Sequence, residues 1–107
     1  MEFNMQQFLI LLKPTRLEMI TKGPTQRESQ VIDEHFAYLE KLTEQGVMIL
    51  VGRTQNNDAN TFGIAILQAG SESEARAVME QDPVIINQVM KAELYPYKIA
   101  LVGKLPE

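Results

Sequence analysis

Three short, unbroken apolar runs set the strongest limit on how this chain can fold: FLILL at residues 8–12, VMILV at 47–51 and IAIL at 64–67. Each is too short for a helix of ordinary length, and Pro14 stops the first as Gly52 closes the second. They read as buried strands. A strand that covers one face of a sheet alternates apolar with polar residues, because successive side chains point to opposite faces. These runs do not alternate, so both faces of the resulting sheet must be kept from water.

The segments between the strands have helical character. Thr25 and Glu28 have the Thr-x-x-Glu spacing of a capping box, in which hydroxyl and carboxylate satisfy backbone donors at a helix start. Ile32, Phe36, Leu39 and Leu42 follow at helical spacing, with Val31 and Tyr38 at one edge, and Gly46 can take a left-handed C-terminal cap. Ser71 and Glu74 repeat the capping pattern ahead of Ala75, Val78 and Met79, and Asp82-Pro83 ends that second helix. Strands are expected at Gln6–Lys13, Val47–Val51, Thr61–Ala69 and Ala92–Val102, the last with Pro96 marking an edge or bulge. Pro14–Pro24 reads as a long loop, and Pro83–Met90 has room for one further turn.

The order β-α-β-β-α-β is the ferredoxin-like split arrangement, an α+β fold with a four-stranded antiparallel sheet and both helices on one face. No repeat or linker divides residues 1–107, so a single domain is expected. The helices leave the second face of the sheet bare. A wet apolar face would forgo several kcal/mol at roughly 25 cal/mol per Å². The same face of a second copy is the simplest cover, which predicts a symmetric homodimer with sheets back to back.

Composition narrows the function. There are no cysteines, which removes disulfides, thiolate chemistry and zinc-thiolate or iron–sulfur ligation and suits a cytoplasmic setting. The start MEFNMQQFLILLKP has Glu2 where a signal peptide has basic residues, and its apolar run is too short to span a membrane, so neither is expected. A formal charge of −4 without a Lys/Arg cluster speaks against nucleic acid. The segments GPT and GRT lack the strand–glycine loop–helix context of phosphate binders. Ser29, Ser71 and Ser73 have no base beside them in the sequence, so covalent catalysis is not indicated.

The only histidine, His35, lies three residues after Ile32 and four before Leu39, inside the apolar stripe of the first helix. It therefore points toward the sheet. Asp82, three and four residues after Met79 and Val78, points inward as well if the second helix reaches it. Such a pair in a small, partly apolar pocket suits general acid/base work, the carboxylate fixing the tautomer of the imidazole. The same spacing equally allows a core histidine bonded to a backbone carbonyl and an aspartate that caps the turn before Pro83. With one His and no Cys, a metal site would need carboxylates alone, and Glu34 faces away from His35, so no metal is expected. Arg53, just past the second strand, has the planar fork to hold a substrate carboxylate, or is a solvated loop residue.

The segments HFAYLEKLTEQGVMILVGRT, FGIAIL and SESEARAVMEQDPVIINQVMKAELYPYKIAL resemble the YCII-related (YciI-like) family in order and spacing. His35 ahead of Tyr38-Leu39, Gly46 ahead of the second strand and Asp82-Pro83 after the second helix match that family's motif positions. The resemblance implies a dimeric α+β barrel of ferredoxin-like domains with His35 and Asp82 as an acid/base dyad beside a cleft. It implies no cofactor, and a small-molecule ligand. Some relatives act on small lactone-like products of aromatic degradation with isomerase or dehalogenating lyase chemistry. The chain departs from the family in having Gly52-Arg53-Thr54 where Gly-Pro is frequent, and in a longer first loop. These departures point to a subgroup in which Arg16 or Arg53 shapes the pocket. The alternative to an enzyme is a non-catalytic dimeric module that binds a metabolite or serves as an accessory subunit.

Overall fold

The computed structural model describes residues 5–106. The first four residues, including the Glu2 that bears on the signal-peptide expectation, lie outside the described part. Eight elements follow in order: β1 (Gln6–Pro14), α1 (Glu18–Thr21), α2 (Gln26–Glu44), β2 (Met48–Arg53), β3 (Gly63–Ala69), α3 (Glu72–Glu80), α4 (Pro83–Ile86) and β4 (Met90–Tyr97). The strands form one antiparallel sheet in the order β2-β3-β1-β4. This is the expected ferredoxin-like α+β arrangement.

Register decides which side chains meet the helices. Phe8 lies opposite Leu67 and Pro96, Ile10 opposite Ala65 and Leu94, and Leu12 opposite Gly63 and Ala92. Partners across an antiparallel sheet share a face, so these residues line one side. Phe8, Ile10, Leu12, Ala65 and Leu67 join Val31, Leu39, Ala75, Met79 and Val84 in one buried cluster, which places the helices on that side. Phe8, Leu67 and Val84 are fully enclosed, each burial contributing about 1.5–3 kcal/mol. The other side carries Leu9, Leu11, Leu50, Ile64, Ile66, Tyr95 and Tyr97, with no helix over it among the described residues.

The local signals at the first long helix are realised in detail. In α2 the Thr25 hydroxyl accepts from the Glu28 N–H at 3.1 Å while the Glu28 carboxylate accepts from the Thr25 N–H at 2.8 Å. The helix ends in a Schellman motif: Gly46, at φ 78°, donates to the Thr43 carbonyl and Val47 to that of Leu42. At α3 only half of the box forms. Ser71 accepts from the Glu74 N–H, but the Glu74 carboxylate turns to the Gly70 N–H.

Four expectations need correction. Phe36 is 66% exposed: at 100° per residue the inward arc of α2 is centred on Val31, His35, Leu39 and Leu42, and Phe36 falls outside it. The loop 14–24 contains α1, which drives Met19 into the core. The second helix stops at Glu80, so Asp82 is not on its inward face but caps the separate turn α4. Finally, β4 ends at Tyr97, opposite Gln7, and not at Val102. Residues 98–102 run on past the start of the paired stretch of β1 and find no neighbouring strand among the described residues.

Candidate functional site

His35 sits at the middle of the inward arc of α2, and Asp82 closes the gap between α3 and α4. The aspartate is extended at φ −66°, ψ 130°, followed by Pro83 at the first helical position, where a missing N–H costs nothing. Its carboxylate accepts from the Val84 N–H at 3.0 Å, the N-cap bond of α4. The same carboxylate meets His35 Nδ1, with both oxygens at 2.8 Å. Side-chain exposure is 13% for the histidine and 7% for the aspartate. Two residues 47 positions apart in the chain thus form a pair that is shielded but still reachable from solvent.

The geometry assigns the protons of a neutral ring. An ionised carboxylate only accepts, so Nδ1 carries the hydrogen and donates it, leaving the lone pair on Nε2. Nε2 has no hydrogen-bond partner among the described residues. The pair can therefore take a proton at Nε2 and stabilise the resulting imidazolium through Asp82, then return the proton. Of the two possible meanings of Asp82, base-orienting partner and turn cap, the structure shows both contacts at once.

Tyr38 supports the arrangement from one turn further along α2. Its hydroxyl donates to the Val78 carbonyl at 2.7 Å, tying α2 to the last turns of α3 just ahead of Asp82. Burial, then the nearby Asp82 charge, pushes the Tyr38 phenol up from its ordinary value, so it remains a neutral donor. From the sequence Tyr38 reads as a stripe-edge residue; its i+3 spacing from His35 was the available signal for a place beside the dyad.

The two arginines are held elsewhere. The Arg16 guanidinium forms a two-pronged pair with Glu28, Nε to Oε2 at 2.9 Å and an Nη to Oε1 at 2.6 Å. Arg53 donates to the Thr54 carbonyl at 3.0 Å and to Asn57 Oδ1 at 3.3 Å. The structure brings neither arginine into hydrogen-bond contact with His35 or Asp82. Arg53, with Leu50, Gly52, Thr54, Phe62 and Ile64, lines a groove of about 280 Å³ at the β2–β3 end of the sheet. A second groove, of about 470 Å³, runs from Met5–Gln7 to Pro96–Ile99. Neither is lined by His35 or Asp82.

Among the described residues no group of three or more His, Asp or Glu side chains is placed to hold a metal ion. No helix among them is long and apolar enough to cross a membrane.

Comparison with known proteins adds to this geometry. The sequence model of the YCII-related domain matches residues 7–97. Among solved structures, the fold is similar to 5-chloro-2-hydroxyhydroquinone dehydrochlorinase from Burkholderia phenoliruptrix AC1100 in complex with 2,5-dihydroxybenzoquinone. The TM-score is 0.64 at 24% identity, over 86% of this chain and 93% of the other. At that identity the likeness is one of fold. Curated proteins give no match.

Proposed function

The chain belongs to the YCII-related family, and from that premise we propose that it is an acid/base enzyme acting without a cofactor on a small organic acid, lactone or hydroxylated ring. His35 Nε2 takes a proton from carbon or oxygen of the substrate. Asp82 keeps Nδ1 protonated and stabilises the charged ring. Return of the proton at another position gives an isomerisation; departure of chloride after proton removal gives a dehalogenating elimination with loss of HCl. The similar solved structure is a dehydrochlorinase with a ring dione bound, which supports the second outcome as the one to test first.

The reading extends to assembly and setting. The apolar sheet face bearing Leu9, Leu11, Leu50, Ile64 and Ile66 pairs with its counterpart on a second copy, forming the dimeric barrel, and the cysteine-free chain works in the cytoplasm. Arg16 and Arg53, suggested for the pocket by the chain's departures from the family pattern, now bond Glu28 and the Thr54–Asn57 loop and would exchange those partners to hold a substrate anion.

One observation carries the catalytic reading: the 2.8 Å contact from Nδ1 to Asp82 with Nε2 left unpartnered among the described residues. Its test uses the single histidine as a reporter. In ¹⁵N NMR of the imidazole, titration with 2,5-dihydroxybenzoquinone is expected to move Nε2 saturably while Nδ1 stays protonated. Chloride release from 5-chloro-2-hydroxyhydroquinone should fall about 10²–10⁴-fold in His35→Gln. Asp82→Asn retains an oxygen to cap α4, so its thermal midpoint should stay within a few degrees of the parent, while turnover falls. An imidazole unmoved by this ring and by a panel of hydroxy acids and lactones, with no turnover of any, would overturn the proposal.

A further inference from the structure

Arg27 stands in the first turn of α2, where the helix dipole disfavours a positive charge. The helix that carries it does not explain it. Its guanidinium leaves α2 and donates from an Nη to the Asn87 carbonyl at 3.0 Å. Asn87 is the C-cap of α4, so the charge meets the end of a helical turn whose last carbonyls have no partner within it. The next two carbonyls are also satisfied from the first half of the chain. Thr15 donates its hydroxyl to Gln88 at 2.8 Å and its N–H to Val89 at 3.0 Å. Asn87 itself closes the turn, donating to the Pro83 carbonyl with both its backbone and its side-chain amide.

The turn finished in this way is the one that Asp82 begins. Val78 precedes Asp82 by four residues and Asn87 follows it by five. Both of their carbonyls are bonded from α2, the first by the Tyr38 hydroxyl at 2.7 Å and the second by Arg27. Arg27 and Tyr38 are eleven residues apart, which at 100° per residue returns to within about 20° of one line along the helix. His35 falls between them in sequence and about 60–80° round from that line, toward the sheet. One helix therefore grips the 78–87 segment on either side of the aspartate and presents the imidazole between the two grips. Among the described residues these three are the side-chain hydrogen bonds from α2 to that segment.

We propose that Arg27 is a positioning residue of the dyad: by fixing the far end of the α4 turn it holds the Asp82 carboxylate against Nδ1 and so selects the ring tautomer with a free Nε2. It acts through α4 and does not bond the imidazole. The geometry leaves little slack. Both aspartate oxygens stand 2.8 Å from Nδ1, and Oδ1 is shared with the Val84 N–H at 3.0 Å. A small rotation of the turn lengthens one of these bonds or another. An imidazole whose Nδ1 loses its acceptor moves toward the Nε2–H form, in which the nitrogen that must take the proton is already occupied.

The proposal deepens the acid/base reading above, and its test separates the two because the tautomer is read without substrate. With the single histidine labelled, the ¹⁵N shifts of the neutral ring give the ratio of Nδ1–H to Nε2–H forms. The parent is expected mostly as Nδ1–H. Arg27→Met alters an exposed side chain and should leave the far-ultraviolet circular dichroism unchanged while raising the Nε2–H share at least about twofold. Arg27→Lys keeps a charged donor and should bring the ratio back toward that of the parent. In turnover, Arg27→Met should lower kcat about two- to fivefold at unchanged KM, as fits a residue that does not touch substrate. An Arg27→Met protein with the parental tautomer ratio overturns the positioning role, even where its thermal midpoint falls, because the bond then serves stability alone. A parent ring in the Nε2–H form removes the dyad geometry, and both readings fall. A ratio that shifts in Arg27→Met and returns in Arg27→Lys, in a protein that turns over no substrate, sustains the positioning of Asp82 and removes the acid/base reading alone.

Discussion

Two carboxylates in this protein each serve a helix start and a distant side chain together. Asp82 caps α4 and holds the His35 ring; Glu28 completes the capping box of α2 and grips Arg16 with both oxygens. For Glu28 the consequence is measurable. Chiefly the Arg16 hydrogen bond, and next the Thr25 backbone N–H, lower its carboxyl from 4.5 to about 2. A folded-state value below the unfolded one favours the native state once the unfolded group is ionised. That stabilisation is complete above about pH 4.5 and is lost as pH falls toward and through 2. The urea midpoint of the parent should therefore drop more steeply between pH 5 and pH 2 than that of Glu28→Gln. At this scale the sequence is informative where partners are three residues apart, as Thr25 and Glu28 are. It is silent on Arg16, whose meeting with Glu28 depends on the path of an intervening loop.

Elements were legible in proportion to their local signals. α2 announces itself by a hydroxyl–carboxylate start and a glycine stop. α1 has neither: Leu17 precedes it without a side-chain cap, and four residues are too few to show a period. In the sequence the inward arc of α2 passes through Phe36, because Ile32, Phe36, Leu39 and Leu42 recur at helical spacing. What separates Phe36 from His35 is a rotation of only 100°, and the apolar character of a residue does not reveal which side of that rotation is covered. β4 reads as longer for a related reason: IALV has strand composition, whereas the pairing with β1 ends at Tyr97 opposite Gln7. α4 shows a fourth case. It closes with a Schellman motif like that of α2, Val89 N–H to Val84 and Gln88 N–H to Ile85, yet the left-handed position is Gln88 at φ 58°. A side chain there strains the backbone by about 1–2 kcal/mol. Gln88→Gly should raise the chemical stability of the domain by up to about 1 kcal/mol, after the added freedom of glycine in the unfolded chain is subtracted; a midpoint unchanged or lowered in urea would count against this.

For the whole molecule, the unbroken apolar runs are the signal for the fold and the ground for expecting a partner alike. Topology followed from the order of elements and the short connections between them. Association is a matter of surface, and its direct check is a charge placed where two sheets would meet. Ile64→Lys, on the bare face between Leu11 and Gly52, should convert a dimer to a monomer in sedimentation at 10 µM while the helical dichroism persists. The candidate site is legible only in part: periodicity aims His35 inward, but it reaches Asp82 only by carrying the second helix past Glu80, whereas Asp82 stands at the start of α4, which no helical spacing describes. That placement carries a consequence of its own. The imidazole belongs to the first β-α-β half of the fold and the carboxylate to the second, so neither half holds a paired base by itself. The 2.8 Å contact between them therefore forms only when the two halves have closed on each other.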